Sequence, residues 1–168
     1  MQKIKELLQT ISCTSNHVSK TNHDIDSVIV SLSNQIILPS SILRDPKYIG
    51  ESKEGKVQNN ILKQLQVIYG AENVQKEYSI GGYWGMRSDL DLFDGKIGIE
   101  LKIAEQLKKA TNVERLIGQT IYYTKRKYSY GNLIVLVVGK EKEYDASMRE
   151  IENIINSIGG RFIYYKVN

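Results

Sequence analysis

Residues 87–102 constrain the fold of this 168-residue chain more than any other segment, because they predict a β-hairpin. Two stretches rich in apolar residues flank the dipeptide Asp94-Gly95. Asp-Gly in this setting is a strong signal for a two-residue hairpin turn, since both central positions need positive φ. The turn defines the register: Phe93 lies opposite Lys96, and each earlier residue of the first strand faces a later residue of the second.

This register places the charged residues of the hairpin on one face, because side chains alternate along a strand. The predicted cross-strand pairs are Asp91 with Gly98, Asp89 with Glu100, and Arg87 with Lys102. The polar side chains that share one face are Arg87, Asp89, Asp91, Glu100 and Lys102. The apolar side chains that point the other way, into a core, are Leu90, Leu92, Ile97, Ile99 and Leu101.

The polar face of the predicted hairpin suggests a chemistry. Carboxylates held close together repel one another unless a cation lies between them. Mg²⁺ prefers oxygen ligands in such an arrangement. A neighbouring lysine can then orient or deprotonate a water molecule. The face therefore predicts a site for metal-assisted phosphodiester hydrolysis.

An aspartate (Asp89 or Asp91) followed by Glu100-Leu101-Lys102 at the end of an apolar strand resembles the motif of the PD-(D/E)XK nuclease superfamily. The tripeptide D/E-x-K occurs five times in the chain. Only Glu100-Leu101-Lys102 lies in an apolar strand with an aspartate across a hairpin, so the context selects it. Ser88 stands where the family has a proline before the aspartate.

The resemblance implies a Mg²⁺-dependent deoxyribonuclease, with Mn²⁺ as a substitute. The sequence leaves endonucleolytic and exonucleolytic cutting open, and endonucleolytic cutting is the preferred expectation. It implies that Asp89 and Glu100 bind the metal and that the main-chain carbonyl of Leu101 is a further ligand. Asp91 is either the first aspartate of the motif or a supporting acid, and Asp89 is preferred because it lies opposite Glu100. Lys102 would position the attacking water and stabilise charge on the phosphate.

Hydrophobic periodicity and turn residues predict the order of the other elements. The predicted elements are helices over 24–38, 53–69, 111–127 and 147–157, and strands over 74–80, 132–138 and 161–166, besides the hairpin. The apolar stripes of two of these helices are Val57, Ile61, Leu65 and Ile68, and Val113, Ile117 and Ile121. We predict an α/β protein with an N-terminal helical extension at 1–50 and a core domain at 51–168. The αβββαβαβ order of the core matches the restriction-endonuclease-like topology of the resembled superfamily, with a mixed sheet flanked by helices.

Two predicted helices carry further candidate residues. In the superfamily the first core helix often adds a polar residue to the metal site, which makes Glu54 and Gln58 supporting candidates. The alternative for Glu54 is an acid that simply favours the positive end of the helix dipole. Gln119 and Tyr123 resemble the Q-x-x-x-Y element of RecB-like members, which borders the active site. The residues expected to contact the DNA backbone are Arg115, Tyr122, Lys125 and Arg126; the alternative is an ordinary solvated helix face.

Charge supports a nucleic-acid partner. The chain has a net charge of +4 and a pI near 9.0, and residues 101–130 hold seven basic side chains against two acidic ones. A basic surface of this kind suits a phosphate backbone. Cys13 is the only cysteine, which fits a reducing, cytoplasmic setting. No apolar run approaches the roughly 20 residues that span a bilayer, so no membrane partner is expected.

Three other functions fit the same residues. The first is a catalytically silent subunit of the same fold that binds nucleic acid or takes part in an assembly. The second is an RNase, such as a toxin-type tRNA nuclease. The third is a structural domain whose acids are surface charge. If the chain cuts both strands of DNA symmetrically, a homodimer is expected.

Overall fold

The computed structural model describes residues 24–44, 52–79 and 87–167, with the side chains of 78 and 79 excepted. The helices are α1 (Ile25–Asn34), α2 (Lys53–Tyr69), α3 (Ala110–Arg126) and α4 (Ala146–Ser157), and the strands are β1 (Val74–Ser79), β2 (Arg87–Leu92), β3 (Ile97–Ile103), β4 (Leu133–Gly139) and β5 (Gly160–Lys166). From α2 onward the predicted order of elements is confirmed. Residues 4–11, whose apolar spacing predicts a helix, lie outside the described residues. His17 and His23, which we expect at the surface, and residues 81–85, a predicted turn with two aromatic residues, lie outside them as well.

The five strands form one mixed sheet in the order β1-β2-β3-β4-β5. The strands β1, β2 and β3 are antiparallel neighbours, whereas β3, β4 and β5 run parallel. Parallel neighbours need crossover connections, and α3 and α4 supply them. All seven residues of β4 are buried, as predicted for a strand covered on both faces. The α/β class is therefore confirmed.

The sheet separates two apolar cores. On one face, the predicted inward residues of the hairpin pack with α1 and α2, and Leu90, Ile99 and Leu101 are fully buried there. On the other face, Val135 and Val137 pack with α3 and α4. Alternation along β3 directs Glu100 away from the α2 core, toward the α3 side. No helix within the described ranges is long and apolar enough to cross a bilayer.

Helix α2 has the predicted boundaries, because both ends carry clear signals. Ser52 caps the first turn by accepting a hydrogen bond from the Gly55 N–H, and Gly70 ends the helix with a φ of 89°. The prediction that Ile68 belongs to the buried stripe is wrong, since 37% of it is exposed. Tyr69 continues the stripe instead and packs edge to face on Phe93, with ring centroids 5.5 Å apart.

Helix α3 faces the sheet with residues that sequence periodicity did not select. Its fully buried residues are Leu116, Thr120 and Tyr123, whereas the predicted stripe is only partly buried. The polar groups of two inward residues find partners inside the protein. Thr120 Oγ1 donates to the Leu116 carbonyl at 2.9 Å, and Tyr123 OH donates to the Arg87 carbonyl at 2.9 Å. Because these hydrogen bonds are satisfied, burial of the polar residues costs little.

The hairpin connection is longer than predicted. It is a four-residue loop over 93–96, and φ is positive at Phe93, Asp94 and Gly95. The Asp91 carboxylate holds this wider loop, because its Oδ2 accepts a hydrogen bond from the Gly95 N–H at 2.7 Å. The loop leaves the register unchanged.

The observed pairs agree with the predicted register as far as the ladder runs. They are Leu92 with Ile97, Asp91 with Gly98, and Leu90 with Ile99. The predicted pairs of Asp89 with Glu100 and Arg87 with Lys102 lie beyond the last pair of this ladder. Arg87 is exposed and pairs with Glu77 at 3.5 Å.

Gly98 offers a direct test of the packing behind the hairpin. A Cβ at Gly98 would lie 2.3 Å from two ring atoms of Tyr128, a fully buried residue. Gly98→Ala is expected to lower the free energy of unfolding by about 1–3 kcal/mol through overpacking. Gly118→Ala is the control, because that helical glycine has open space around it and alanine favours helix by up to about 1 kcal/mol. Urea unfolding measures both, and wild-type stability in Gly98→Ala would contradict the Tyr128 packing.

Candidate active site

The ammonium group of Lys102 lies among four oxygen atoms at the end of the hairpin farthest from its loop. These oxygens are Glu100 Oε1 at 2.8 Å, the Leu101 carbonyl at 2.9 Å, Glu54 Oε1 at 3.5 Å and Asp89 Oδ2 at 3.9 Å. They come from β2, from β3 and from the first turn of α2. We refer to Glu54, Asp89, Glu100 and Lys102 as the Lys102 cluster. The structure thus brings together four side chains that were singled out in the sequence.

Asp89 is held in place by two hydrogen bonds. Its Oδ2 accepts the Leu101 N–H at 2.7 Å, just beyond the last cross-strand pair. Its main-chain carbonyl accepts a hydrogen bond from Gln58 Nε2 at 2.8 Å. Gln58, a supporting candidate from the sequence, therefore contacts the Asp89 backbone and positions that residue. Asp89 reaches β3 with its carboxylate where the strands themselves no longer pair.

Asp91 lies in a different network, at the loop end of the hairpin. It is fully buried, its Oδ1 accepts from Tyr128 OH at 2.9 Å, and its Oδ2 accepts from Gly95 N–H. Tyr128 OH also lies 2.8 Å from Ser88 Oγ. Both Asp91 oxygens are thus engaged in holding the loop. Of the two candidate aspartates, the structure places only Asp89 beside Lys102.

The electrostatics of the Lys102 cluster follow from its burial. Burial, followed by the charge of Asp89, raises the pKa of Glu100 to about 8, against the lowering effect of Lys102. Burial also raises the pKa values of Glu54 and Asp89. Burial alone would lower the pKa of Lys102, but the three carboxylates outweigh it and hold that pKa above its usual range. Lys102 therefore stays protonated at neutral pH.

Two buried oxygens near this region have no hydrogen-bond partner among the described residues. They are Glu100 Oε2 and Gln119 Oε1. A buried acceptor without a partner is costly, so each of these oxygens calls for a cation or a donor that the described residues do not supply. Gln119 Nε2 donates to Tyr123 OH at 3.4 Å, and burial, followed by the charge of Glu100, raises the pKa of Tyr123. Gln119 and Tyr123 therefore lie along the α3 side of Glu100.

The oxygen atoms of the Lys102 cluster are of the chemical type that binds a divalent ion. Among the residues that the structure describes, no three His, Cys, Asp or Glu side chains converge as a ready-made metal site, and Lys102 lies between the carboxylates. The oxygens of Asp89, Glu100 and Leu101 are nevertheless the ligand type that Mg²⁺ prefers, and Glu100 Oε2 lacks a partner. When ionised, the three carboxylates exceed the one ammonium by two negative charges, which a single divalent ion would balance.

A cleft of about 430 Å³ opens directly onto the Lys102 cluster. The residues that line it are Glu54, Lys102, Gln106, Lys109, Asn112 and Arg115. Sequence motifs did not select Gln106, Lys109 or Asn112, since they occupy the turn at 104–108 and the start of α3. The only sequence signal for this wall is the basic character of residues 101–130.

The candidate DNA-contacting residues of α3 separate into two places. Arg115 lines the cleft. Tyr122, Lys125 and Arg126 lie seven to eleven residues further along the helix, roughly 10–16 Å away at about 1.5 Å per residue. The Arg126 guanidinium lies 5.9 Å from the centroid of the Tyr122 ring. Arg115 is thus the member of this set that the structure brings to the cleft.

Comparisons of the chain with family models, with curated proteins and with solved structures found no match. Function is therefore inferred from the Lys102 cluster and from the cleft beside it.

Proposed function

We propose that this protein is a metal-dependent nuclease of the PD-(D/E)XK type that hydrolyses DNA phosphodiester bonds endonucleolytically. The observation that carries the proposal is the Lys102 cluster, where three carboxylates surround one protonated lysine and Glu100 Oε2 is buried with no hydrogen-bond partner among the described residues. The αβββαβαβ order and the mixed sheet support a restriction-endonuclease-like core. The basic wall of the cleft supports a phosphate-bearing substrate.

The residues that would hold Mg²⁺, or Mn²⁺ in its place, are Asp89, Glu100 and the Leu101 carbonyl. A bound divalent ion lowers the pKa of a coordinated water and neutralises charge on the phosphate. Because its pKa is held high, Lys102 acts as a hydrogen-bond donor and positive charge beside the phosphate, and not as a base. Gln58 keeps Asp89 in position through the Asp89 carbonyl.

We further propose that the enzyme contacts DNA along α3, forms a homodimer and acts in the cytoplasm. Arg115 would contact the DNA backbone from the cleft, and Tyr122, Lys125 and Arg126 would contact it further along α3. A homodimer would allow both strands of a duplex to be cut symmetrically. The single cysteine of the chain suits a cytoplasmic enzyme.

The matched substitutions Asp89→Asn and Asp91→Asn test the proposal. With supercoiled plasmid or single-stranded DNA, wild-type protein is expected to cleave in Mg²⁺ or Mn²⁺ and not in EDTA. Asp89→Asn should slow cleavage on the order of 10²–10³-fold, the usual cost of losing one preorganised charge contact. Asp91→Asn should lower the melting temperature but keep most of the activity of each folded molecule, because Asp91 holds the loop.

Other outcomes of this experiment would point elsewhere. Loss of activity in Asp91→Asn with retention in Asp89→Asn would exchange the roles of the two aspartates. tRNA serves as a parallel substrate, and its cleavage without cleavage of DNA would favour an RNase. Failure of the folded wild-type protein to cleave any nucleic acid would favour a binding subunit.

A further inference from the structure

The cleft is continuous with the Lys102 cluster, because Glu54 and Lys102 belong to both. Its remaining wall consists of Gln106, Lys109, Asn112 and Arg115. A ligand in the cleft would therefore touch the candidate catalytic groups at one end and the start of α3 at the other. A second, larger pocket lies at the loop end of the hairpin, where Lys96 and Lys127 are among its lining residues. None of its lining residues belongs to the Lys102 cluster.

Two positive charges on the cleft wall are available to an anion. Neither Lys109 nor Arg115 forms an ion pair with any described residue. Their neighbours Lys53 and Lys108 differ, because they pair with Glu105 at 2.9 Å and with Glu143 at 3.5 Å. Lys102 lies inside the cluster among three carboxylates, so an anion bound further along the cleft must contact other cations. The charge of Arg115 opposes the rise in the pKa of Glu54, but the two side chains form no ion pair. The cleft thus keeps two cations that are outside any ion pair with the described residues.

The amides of the wall add hydrogen-bonding capacity. Asn112 Nδ2 donates to the Gln106 carbonyl at 2.7 Å, which fixes the orientation of the Asn112 amide. The Gln106 side chain is exposed at the cleft. The volume of the cleft equals that of about fourteen water molecules at ~30 Å³ each. It therefore has room for a phosphate together with its sugar.

We propose that this cleft binds the backbone phosphate adjacent to the one that is cleaved, with Lys109 and Arg115 as its charged contacts. The inference rests on the proposed nuclease function and adds a phosphate subsite to it. Glu54 lies at the end of the cleft next to the Lys102 cluster, where its negative charge repels a free anion. A DNA strand in the cleft is therefore held by Lys109 and Arg115, while its scissile phosphate reaches Lys102. The subsite requires at least two consecutive phosphates in the substrate.

Binding measured without cleavage is the first test. Fluorescence anisotropy in EDTA, with labelled single-stranded and duplex oligonucleotides, compares wild type with Lys109→Gln/Arg115→Gln. The double variant is expected to bind about tenfold more weakly or worse. The negative slope of the logarithm of the association constant against the logarithm of the salt concentration should become less steep, by about 1.4 for single strands or 1.8 for duplex, because two phosphate contacts are lost. Lys63→Gln/Lys142→Gln removes the same charge from exposed lysines outside the cleft and should change the slope far less.

Cleavage of a substrate with one phosphodiester is the second test. With Mg²⁺ or Mn²⁺, the double variant should cleave the oligonucleotide at least tenfold more slowly, and its loss of rate on bis(p-nitrophenyl) phosphate, which has no adjacent phosphate, should be far smaller. Equal losses on both substrates would place Lys109 and Arg115 at the scissile phosphate and overturn the subsite.

The failures of the two proposals differ in these assays. If wild type cleaves DNA and the double variant binds it with wild-type affinity and salt slope, the cleft proposal fails and the nuclease proposal stands. If wild type cleaves neither substrate, the nuclease proposal fails, and the adjacent-phosphate subsite that rests on it fails as well. A melting temperature for each variant shows that the substituted proteins are folded.

Discussion

Replacing Glu100 by glutamine is expected to abolish DNA cleavage while making the metal-free protein more stable at pH 8. Only 2% of Glu100 is exposed, and burial raises its pKa to about 8 from an ordinary 4.5. Between these two pH values the folded protein keeps a proton that the unfolded chain has lost, so wild-type stability falls as pH rises through this window. Glutamine does not titrate. The stability advantage of Glu100→Gln should therefore grow by up to about 1.4 kcal/mol per pH unit between pH 5 and pH 8.

Urea unfolding in EDTA at several pH values measures this difference. Glu150→Gln is the control, since Glu150 is exposed on α4 and its variant should follow the wild-type profile. Mg²⁺ should raise the melting temperature of wild type more at pH 8 than at pH 6, because the ion competes with the proton on Glu100. It should have no effect on Glu100→Gln. Parallel pH profiles for wild type and Glu100→Gln would show that the carboxylate is not buried beside Asp89.

Much of the fold could be predicted because its signals are local. Helix α2 carries its own cap at Ser52 and its own stop at Gly70, so its boundaries were predictable. Strand β4 is a continuous apolar run whose burial on both faces follows from its composition. The hairpin register follows from the position of Asp94-Gly95, since the observed loop over 93–96 is centred on this dipeptide and pairs Asp91 with Gly98 as predicted. Each of these features depends on residues within a few positions of one another.

The features that were not predicted depend on residues far apart in the chain. The four-residue loop is held by Asp91, and Asp91 in turn is held by Tyr128, which lies 37 residues further on. The inward face of α3 depends on the Arg87 carbonyl, which accepts the Tyr123 hydroxyl.

The candidate site shows the same division. The motif selected Asp89, Glu100 and Lys102, but the contact of Gln58 with the Asp89 carbonyl spans 31 residues. The cleft wall at Lys109 and Asn112 exists only because α3 begins beside the end of β3. Contacts between residues that are far apart in the chain leave no periodic pattern in the sequence.

Lys102→Met is expected to produce the second large effect, a loss of stability that divalent ions reverse. The Lys102 ammonium supplies the positive charge in contact with Glu54, Asp89 and Glu100, and 14% of its side chain is exposed. Removing one partner of such a buried ion pair typically costs about 3–5 kcal/mol, because it leaves uncompensated carboxylates. Cleavage should be lost as well, since the ammonium group beside the scissile phosphate would be gone.

The same substitution should strengthen metal binding. Three of the four oxygens around Lys102 belong to Asp89, Glu100 and Leu101, the residues that we propose as metal ligands. The ammonium and a divalent ion therefore compete for the same region and repel each other. Lys102→Met should therefore bind Mn²⁺ more tightly than wild type, as measured by the electron paramagnetic resonance of free Mn²⁺. Its melting temperature should also rise more on Mn²⁺ addition.

Lys53→Met is the matched control for this prediction, because Lys53 forms a more exposed ion pair with Glu105. A surface pair contributes at most about 1 kcal/mol, so Lys53→Met should keep nearly wild-type stability and Mn²⁺ affinity. Equal stability of the two variants would show that the Lys102 contacts do not support the fold. Weaker Mn²⁺ binding by Lys102→Met would mean that Lys102 organises the carboxylates for the metal. Tighter Mn²⁺ binding would mean that a divalent ion can replace the Lys102 ammonium between the carboxylates of the cluster.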